Sequence, residues 1–220
     1  ILKNYPDYFE KREVKRKLAR LEFNEGSITI PELYFDLLND SSTTLEDLRL
    51  ILNDLETKIS ANKNYIQKIE YTDKLLANNK LKERSKPLYE LVTYIKSKAL
   101  SEGKKFQESN TILDSFLEPV KKNPDCDINP FCQKLLVCVK NPVCLKSHLL
   151  KSKYFEGLGS VNGSFDELRV FLENYDPDLG VELNKTEIEK TFRYYENKAR
   201  DHEARGNSSP ENRIHLRDAA

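Results

Sequence analysis

Glycine is scarce in this chain of 220 residues, with 7 in all; histidine is scarcer, with 3, and methionine is absent. So little glycine leaves no phosphate-cradling loop. Neither a His-Glu-x-x-His pair nor a Gly-x-Ser-x-Gly elbow occurs. With few histidines to act as bases or ligands, the sequence argues against an enzyme, and no cofactor or metal is expected. Lys and Arg number 36, as do Asp and Glu, so the net charge is zero. That removes the whole-protein electrostatic case for nucleic acid. No hydrophobic run reaches the length of a membrane span. Without methionine and opening on Ile1, the chain is expected to be a processed product.

What is present is charge and helical periodicity. Charged residues make up 33% and hydrophobic ones 38%, enough for a core under a heavily ionic surface. Leu, Lys and Glu at helical spacing predict an all-α fold. A first helix is expected from Pro6 to Phe23, with an apolar stripe of Phe9, Val14, Leu18 and Leu21 and a basic face of Lys11, Arg12, Lys15 and Arg16. Thr29 and Glu32 suggest a capped short helix ending near Asn39.

From Thr44 to about Leu76 seam positions step four and three, through Leu48, Leu52, Leu55, Ile59, Asn62, Ile66, Ile69, Asp73 and Leu76, of which Asn62 and Asp73 are polar. A second run from Ser85 goes through Leu88, Val92, Ile95, Ala99, Glu102, Phe106, Ser109, Leu113, Phe116 and Val120. Two helices of roughly 50 Å joined by a short polar break predict a long antiparallel hairpin. Ile69 would face Ile95 and Asn62 would face Glu102. Gly103 offers a bend as the alternative.

Shorter helices are expected to pack on this hairpin: Pro130 to Lys140, Pro142 to Phe155 with Asn141 as cap, one capped by Ser164 and Glu167, and one capped by Asn184. The expected division is 1–122 for the N-terminal helices and hairpin, and 123–206 for a cysteine-containing helical region packed on it. A polar tail, 207–220, is expected to be disordered.

The cysteines all lie in that second region, at every sixth position: Cys126, Cys132, Cys138 and Cys144. Three of them close an Asn-Pro-x-Cys tetrapeptide. An even, clustered set suggests disulfides in an oxidising space. Cys132 and Cys138 in one helix would stand about 9 Å apart along its axis, too far for a bridge. Sequential pairing, Cys126 with Cys132 and Cys138 with Cys144, gives a disulfide-clamped subdomain. Zinc would need four thiolates without a Cys-x-x-Cys pair, and free or intermolecular thiols are the other alternative. Cys144 and His148, one turn apart, are read as a disulfided cysteine beside a surface histidine. The segment Asp176-Pro177-Asp178-Leu179-Gly180 lacks a calcium-loop pattern. Glycosylation sequons begin at Asn39, Asn162, Asn184 and Asn207.

Together these features predict a secreted or cell-surface protein that binds another protein or a second copy of itself. Candidate interface residues are Phe131, Lys134, Lys146, Lys153, Tyr154 and Phe155, in the region 130–158. Polyanion binding by the basic first helix is a lesser alternative to a solvated face. Rival functions are a helical carrier of a lipid or other apolar ligand and an intracellular coiled-coil scaffold. In general style the chain resembles secreted helical proteins of blood-feeding arthropods and helical surface antigens of parasites. That resemblance implies an extracellular binding role in a host–parasite or blood-feeding context.

Overall fold

The computed structural model describes residues 11–61, 63–117, 141–175 and 181, together with Glu189, Arg193, Glu196 and Arg200. Among these the chain is all-helical, with no strand. The order is α1 (Lys11–Glu22), α2 (Glu32–Asn39), α3 (Leu45–Ser60), α4 (Tyr65–Asn79), α5 (Leu81–Arg84), α6 (Lys86–Glu102), α7 (Phe106–Asp114), α8 (Pro142–Gly157) and α9 (Val161–Glu173). Two compact units divide the chain, Ile1–Val181 and Glu182–Ala220. In the second, Glu189, Arg193, Glu196 and Arg200 are helical and exposed. No helix among the described residues is long and apolar enough to cross a membrane. The expected boundary at 122/123 and the tail from 207 lie outside the described residues, as does the helix expected from Pro130.

The centre of the first unit is α6. It buries Leu88, Leu91, Val92, Ile95, Ala99 and Leu100 because α3, α4, α5, α7 and α8 all pack on it. α3 starts where expected: Thr44 Oγ1 accepts from Asp47 N at 3.1 Å while the Asp47 carboxylate accepts from Thr44 N at 3.1 Å. It buries Leu52, Leu55 and Ile59 as the four–three spacing predicts.

Neither long helix is continuous. The first is divided before α4, where Asn64 Oδ1 accepts from Gln67 N at 2.9 Å in a second capping box. This break resets the helix face: α4 buries Tyr71, Thr72, Leu75 and Asn79, while Ile66 and Asp73 are exposed. The second is divided after Glu102, at Gly103 and at Lys104, whose φ is 61°. Beyond that break α7 folds back on α6. Ser97 Oγ and Ser109 Oγ each donate to the other's carbonyl at 2.9 Å, in a buried reciprocal pair.

α4 and α6 are antiparallel, tied by Lys68–Glu102 at 3.0 Å and Asp73–Lys96 at 2.6 Å. The expected register, Ile69 against Ile95, is displaced by more than a helical turn. The short helix α5, entered through Lys80 with φ 47°, takes up part of the connection expected to be a simple loop. Glu102 bonds Lys68 at 3.0 Å; Asn62, its expected partner, lies outside the described residues.

α1 corrects the sequence reading most. Of its expected apolar stripe, Leu18 and Leu21 are exposed and Val14 is half-buried, while Phe9 lies outside the described residues; Ala19 is buried instead, as is Phe23 just beyond the helix. The basic face turns inward, with Arg12 on Asp47 at 3.1 Å and Arg16 on Asp54 at 2.9 Å. Small Ala19 allows the close approach. The extended segment after α1 is clipped by buried Asn79. Its Oδ1 accepts from Ile30 N at 2.9 Å and its Nδ2 donates to Ile28 O at 2.8 Å. Thr29 does not cap α2; it bonds Ser27, and Pro31 stands at the helix start without a side-chain cap.

Candidate functional site

Three helix junctions meet at one end of the first unit. These are the start of α4, the turn between α6 and α7, and the turn between α8 and α9. Glycine brings them together. A Cβ on Gly103 would stand 2.7 Å from the Tyr65 ring, one on Gly157 3.0 Å from the Phe106 ring, and one on Gly163 2.9 Å from the Phe155 ring. Phe106 and Tyr154 meet edge-on at 6.1 Å, and Tyr154 and Phe155 at 5.0 Å. The result is a row of aromatic rings seated on bare backbone.

The outer margin of this row is apolar and uncovered among the described residues. Tyr65 is 38% exposed, Ile66 51%, Leu158 56% and Val161 61%. Single exposed apolar residues are ordinary, but several gathered at one end mark a surface that water meets unfavourably. Gly159, with φ +72°, makes the tight turn that lifts Leu158 and Val161 outward.

A buried polar network holds α7, α8 and α9 in the arrangement that presents this margin. Lys151 Nζ lies 2.7 Å from Glu167 Oε1 and 2.8 Å from Asp114 Oδ1. His148 Nδ1 lies 2.7 Å from Glu167 Oε2. An ionised carboxylate only accepts, so Nδ1 carries the proton. Burial works against the charge on Glu167, but the hydrogen bonds and attraction from His148 and Lys151 outweigh it and hold its carboxyl below the ordinary value. Burial likewise opposes the charge on Lys151, yet Glu167 and Asp114 hold it above the ordinary lysine value. His148 was expected at the surface; it is 1% exposed, and its Nε2 has no hydrogen-bond partner among the described residues. Ser164 and Glu167 do not form the expected capping box: α9 starts earlier, at Val161, and Ser164 Oγ instead meets Ser152 Oγ at 3.0 Å.

The start of α8 is pinned separately. Asn141 Oδ1 accepts from Val143 N and Cys144 N, at 3.1 and 3.0 Å, as the sequence predicts for its cap. Its Nδ2 donates to Glu90 Oε2 at 2.8 Å. Glu90 is buried, and burial pushes its carboxyl above the ordinary value.

Of the candidate interface residues, Phe131 and Lys134 lie outside the described residues. Lys146 is bound to Glu56 at 2.7 Å and is half-buried, and Lys153 is exposed. Tyr154 is buried, and Phe155 is half-buried against it. Cys144 is buried. Cys126, Cys132 and Cys138 lie outside the described residues, and the pairing with them. Asn39 and Asn162 are exposed, whereas Asn184 and Asn207 are outside. Among the described residues no cluster of His, Cys, Asp and Glu is placed to hold a metal.

Sequence reasoning passed over Tyr65, Leu158 and Val161, and placed Ile66 in the hairpin seam, whereas it is exposed. The available signal was an apolar pair bracketing Gly159 and an Asn-capped helix opening on Tyr-Ile. No family model matches the chain, no curated protein is similar to it, and no solved structure matches its fold.

Proposed function

We propose that this protein acts outside the cell as a non-enzymatic helical protein that takes a protein partner, or a second copy of itself, on the apolar end face. The observation that carries the reading is the exposed margin of Tyr65, Ile66, Leu158 and Val161 around glycine-seated rings. Aromatic and aliphatic side chains on a rigid support are the usual anchors of interfaces. The basic helix α1 favours this face over a polyanion site, since Arg12, Arg16 and Arg20 are each engaged by Asp47 or Asp54. A carrier of apolar ligands wants an apolar cavity. The groove between α2 and α5 is lined mostly by polar side chains, Glu32, Asp36, Asn39, Asp40 and Arg84, with Phe35 as its apolar member.

A photo-crosslinking residue at Val161 of the secreted full chain tests the face. An adduct with a protein, or with a second copy, is expected there and not from the same residue at Thr57. Leu158→Ser with Val161→Ser should lower affinity for that partner about tenfold or more and leave the melting temperature unchanged. Equal adducts from both positions would sink the reading.

The compartment rests on the even cysteine spacing and the sequons. The subdomain is proposed to be clamped by Cys126–Cys132 and Cys138–Cys144. Non-reducing peptide mapping of secreted material should recover those two linked peptides and no titratable thiol. A Cys132–Cys144 peptide would refute the pairing alone; four free thiols would refute the extracellular reading as well.

A further inference from the structure

Asn39 is the last residue of α2 and opens the sequon Asn39-Asp40-Ser41. Its side chain is also part of the wall of an open groove of about 480 Å³ between α2 and α5, with Glu32, Phe35, Asp36, Asp40 and Arg84. We propose that this groove seats the first sugar of a glycan carried by Asn39 itself. The proposal rests on the extracellular reading above.

Four features of the groove suit a hexosamine. Asn39 Nδ2 carries two protons, and one donates to Arg84 O at 3.0 Å, leaving the other to be replaced. The floor is flat, with the Arg84 guanidinium 3.7 Å from the centre of the Phe35 ring. Glu32 and Asp36 stand one turn apart on α2 and Asp40 follows just past its end; Glu32 is engaged by Arg84, and carboxylates accept from sugar hydroxyls. The volume lies within the range of clefts that hold small ligands. Hydrogen bonds from the Ser42 hydroxyl and amide keep the Asp40 carboxyl below its ordinary value, so it remains an acceptor. In the transfer the bond from Nδ2 to the sugar C1 forms and the bond from C1 to the pyrophosphate of a lipid-linked donor breaks. The lipid pyrophosphate leaves with the electron pair, and one Nδ2 proton passes to a base on the transferase.

The second described sequon supplies an internal control. Asn162 is exposed in the first turn of α9 beside exposed Val161, at the end face and away from this groove.

The experiment uses the full chain from a eukaryotic secretory host, trimmed by endoglycosidase to a single N-acetylglucosamine at each site. Glycopeptide mass spectrometry should find Asn39 occupied. Amide exchange across 36–40 and 81–84 should then be several-fold slower than in Ser41→Ala, which lacks the sugar but keeps Asn39. Asp36→Ala should abolish the slowing without lowering occupancy, and Asn162→Gln should leave it unchanged. Occupied Asn39 with unaltered exchange would overturn the seat. So would an empty Asn39 beside an occupied Asn162, with the extracellular reading intact. Two empty sequons would overturn both.

Discussion

Lys151→Met is expected to destabilise the folded chain by roughly 3–5 kcal/mol, the cost of leaving a buried charge without its partner. Lys151 Nζ bridges Glu167 on α9 and Asp114 on α7. Asp114 is half exposed and regains water when the ammonium is lost, whereas Glu167 keeps only His148. Three helices therefore depend on one cation. Lys151→Met combined with Glu167→Leu should recover part of the loss, because replacing both partners by apolar groups removes the orphaned charge.

The same network sets a pH dependence. Glu167 is held below its ordinary value of 4.5, so its contribution is complete above that value and is lost as pH falls through the folded-state value. Lys151 is held above its ordinary value of 10.5; its contribution is complete below that value and is lost as pH rises through the folded-state value. Between the two the stability difference between wild type and Lys151→Met should be flat, and it should shrink in acid. Urea midpoints at several pH values, at constant denaturant slope, measure this. A loss under about 1 kcal/mol at neutral pH would mean that the bridge is solvated and that packing alone holds α8 to α7 and α9.

How far the fold is legible depends on which signal decides each element. Caps are local, and the starts of α3 at Thr44 and of α8 at Asn141 follow from their side chains. Breaks are harder, since the four–three spacing runs on through 61–64, with polar Asn62 at its seam position. Only the Asn64–Gln67 box marks the interruption, and two positions of unremarkable chemistry are easily outweighed by a long apolar pattern. Lys80 and Lys104 turn the chain at positive φ without a glycine at either position. The orientation of α1 is not a matter of hydrophobicity at all. Two arginine–aspartate pairs and the small Ala19 choose the inward face against the leucine stripe. The candidate end face is illegible for a related reason. Whether Leu158 and Val161 are core or surface depends on how the end of α8 and the start of α9 meet α7, and no local pattern records that.

Leu55→Ala is the second large effect and separates a divided α3–α4 span from a continuous one. Leu55 is fully buried on α3 with Ile51, Leu52 and Ile59 around it, and α3 packs on α6. Truncation removes three buried carbons and leaves a void, at a cost of about 2–5 kcal/mol. A continuous helix demands the same loss, so the discriminating partner is Asn64→Ala. In an uninterrupted helix alanine is the better helix former, and the change would stabilise by a few tenths of a kcal/mol. In the divided chain Asn64 Oδ1 accepts from Gln67 N and Asn64 N donates to Gln67 Oε1, so the change should destabilise by about 1 kcal/mol. The two sites share no partner among the described residues and their effects should add. Opposite signs, with Leu55→Ala costly and Asn64→Ala stabilising, would restore the unbroken hairpin. An Asn64→Ala loss near 1 kcal/mol would place the hinge where α4 begins. That is also where Tyr65 and Ile66 turn outward, so the cap that ends one helical pattern is what brings the apolar margin to the surface.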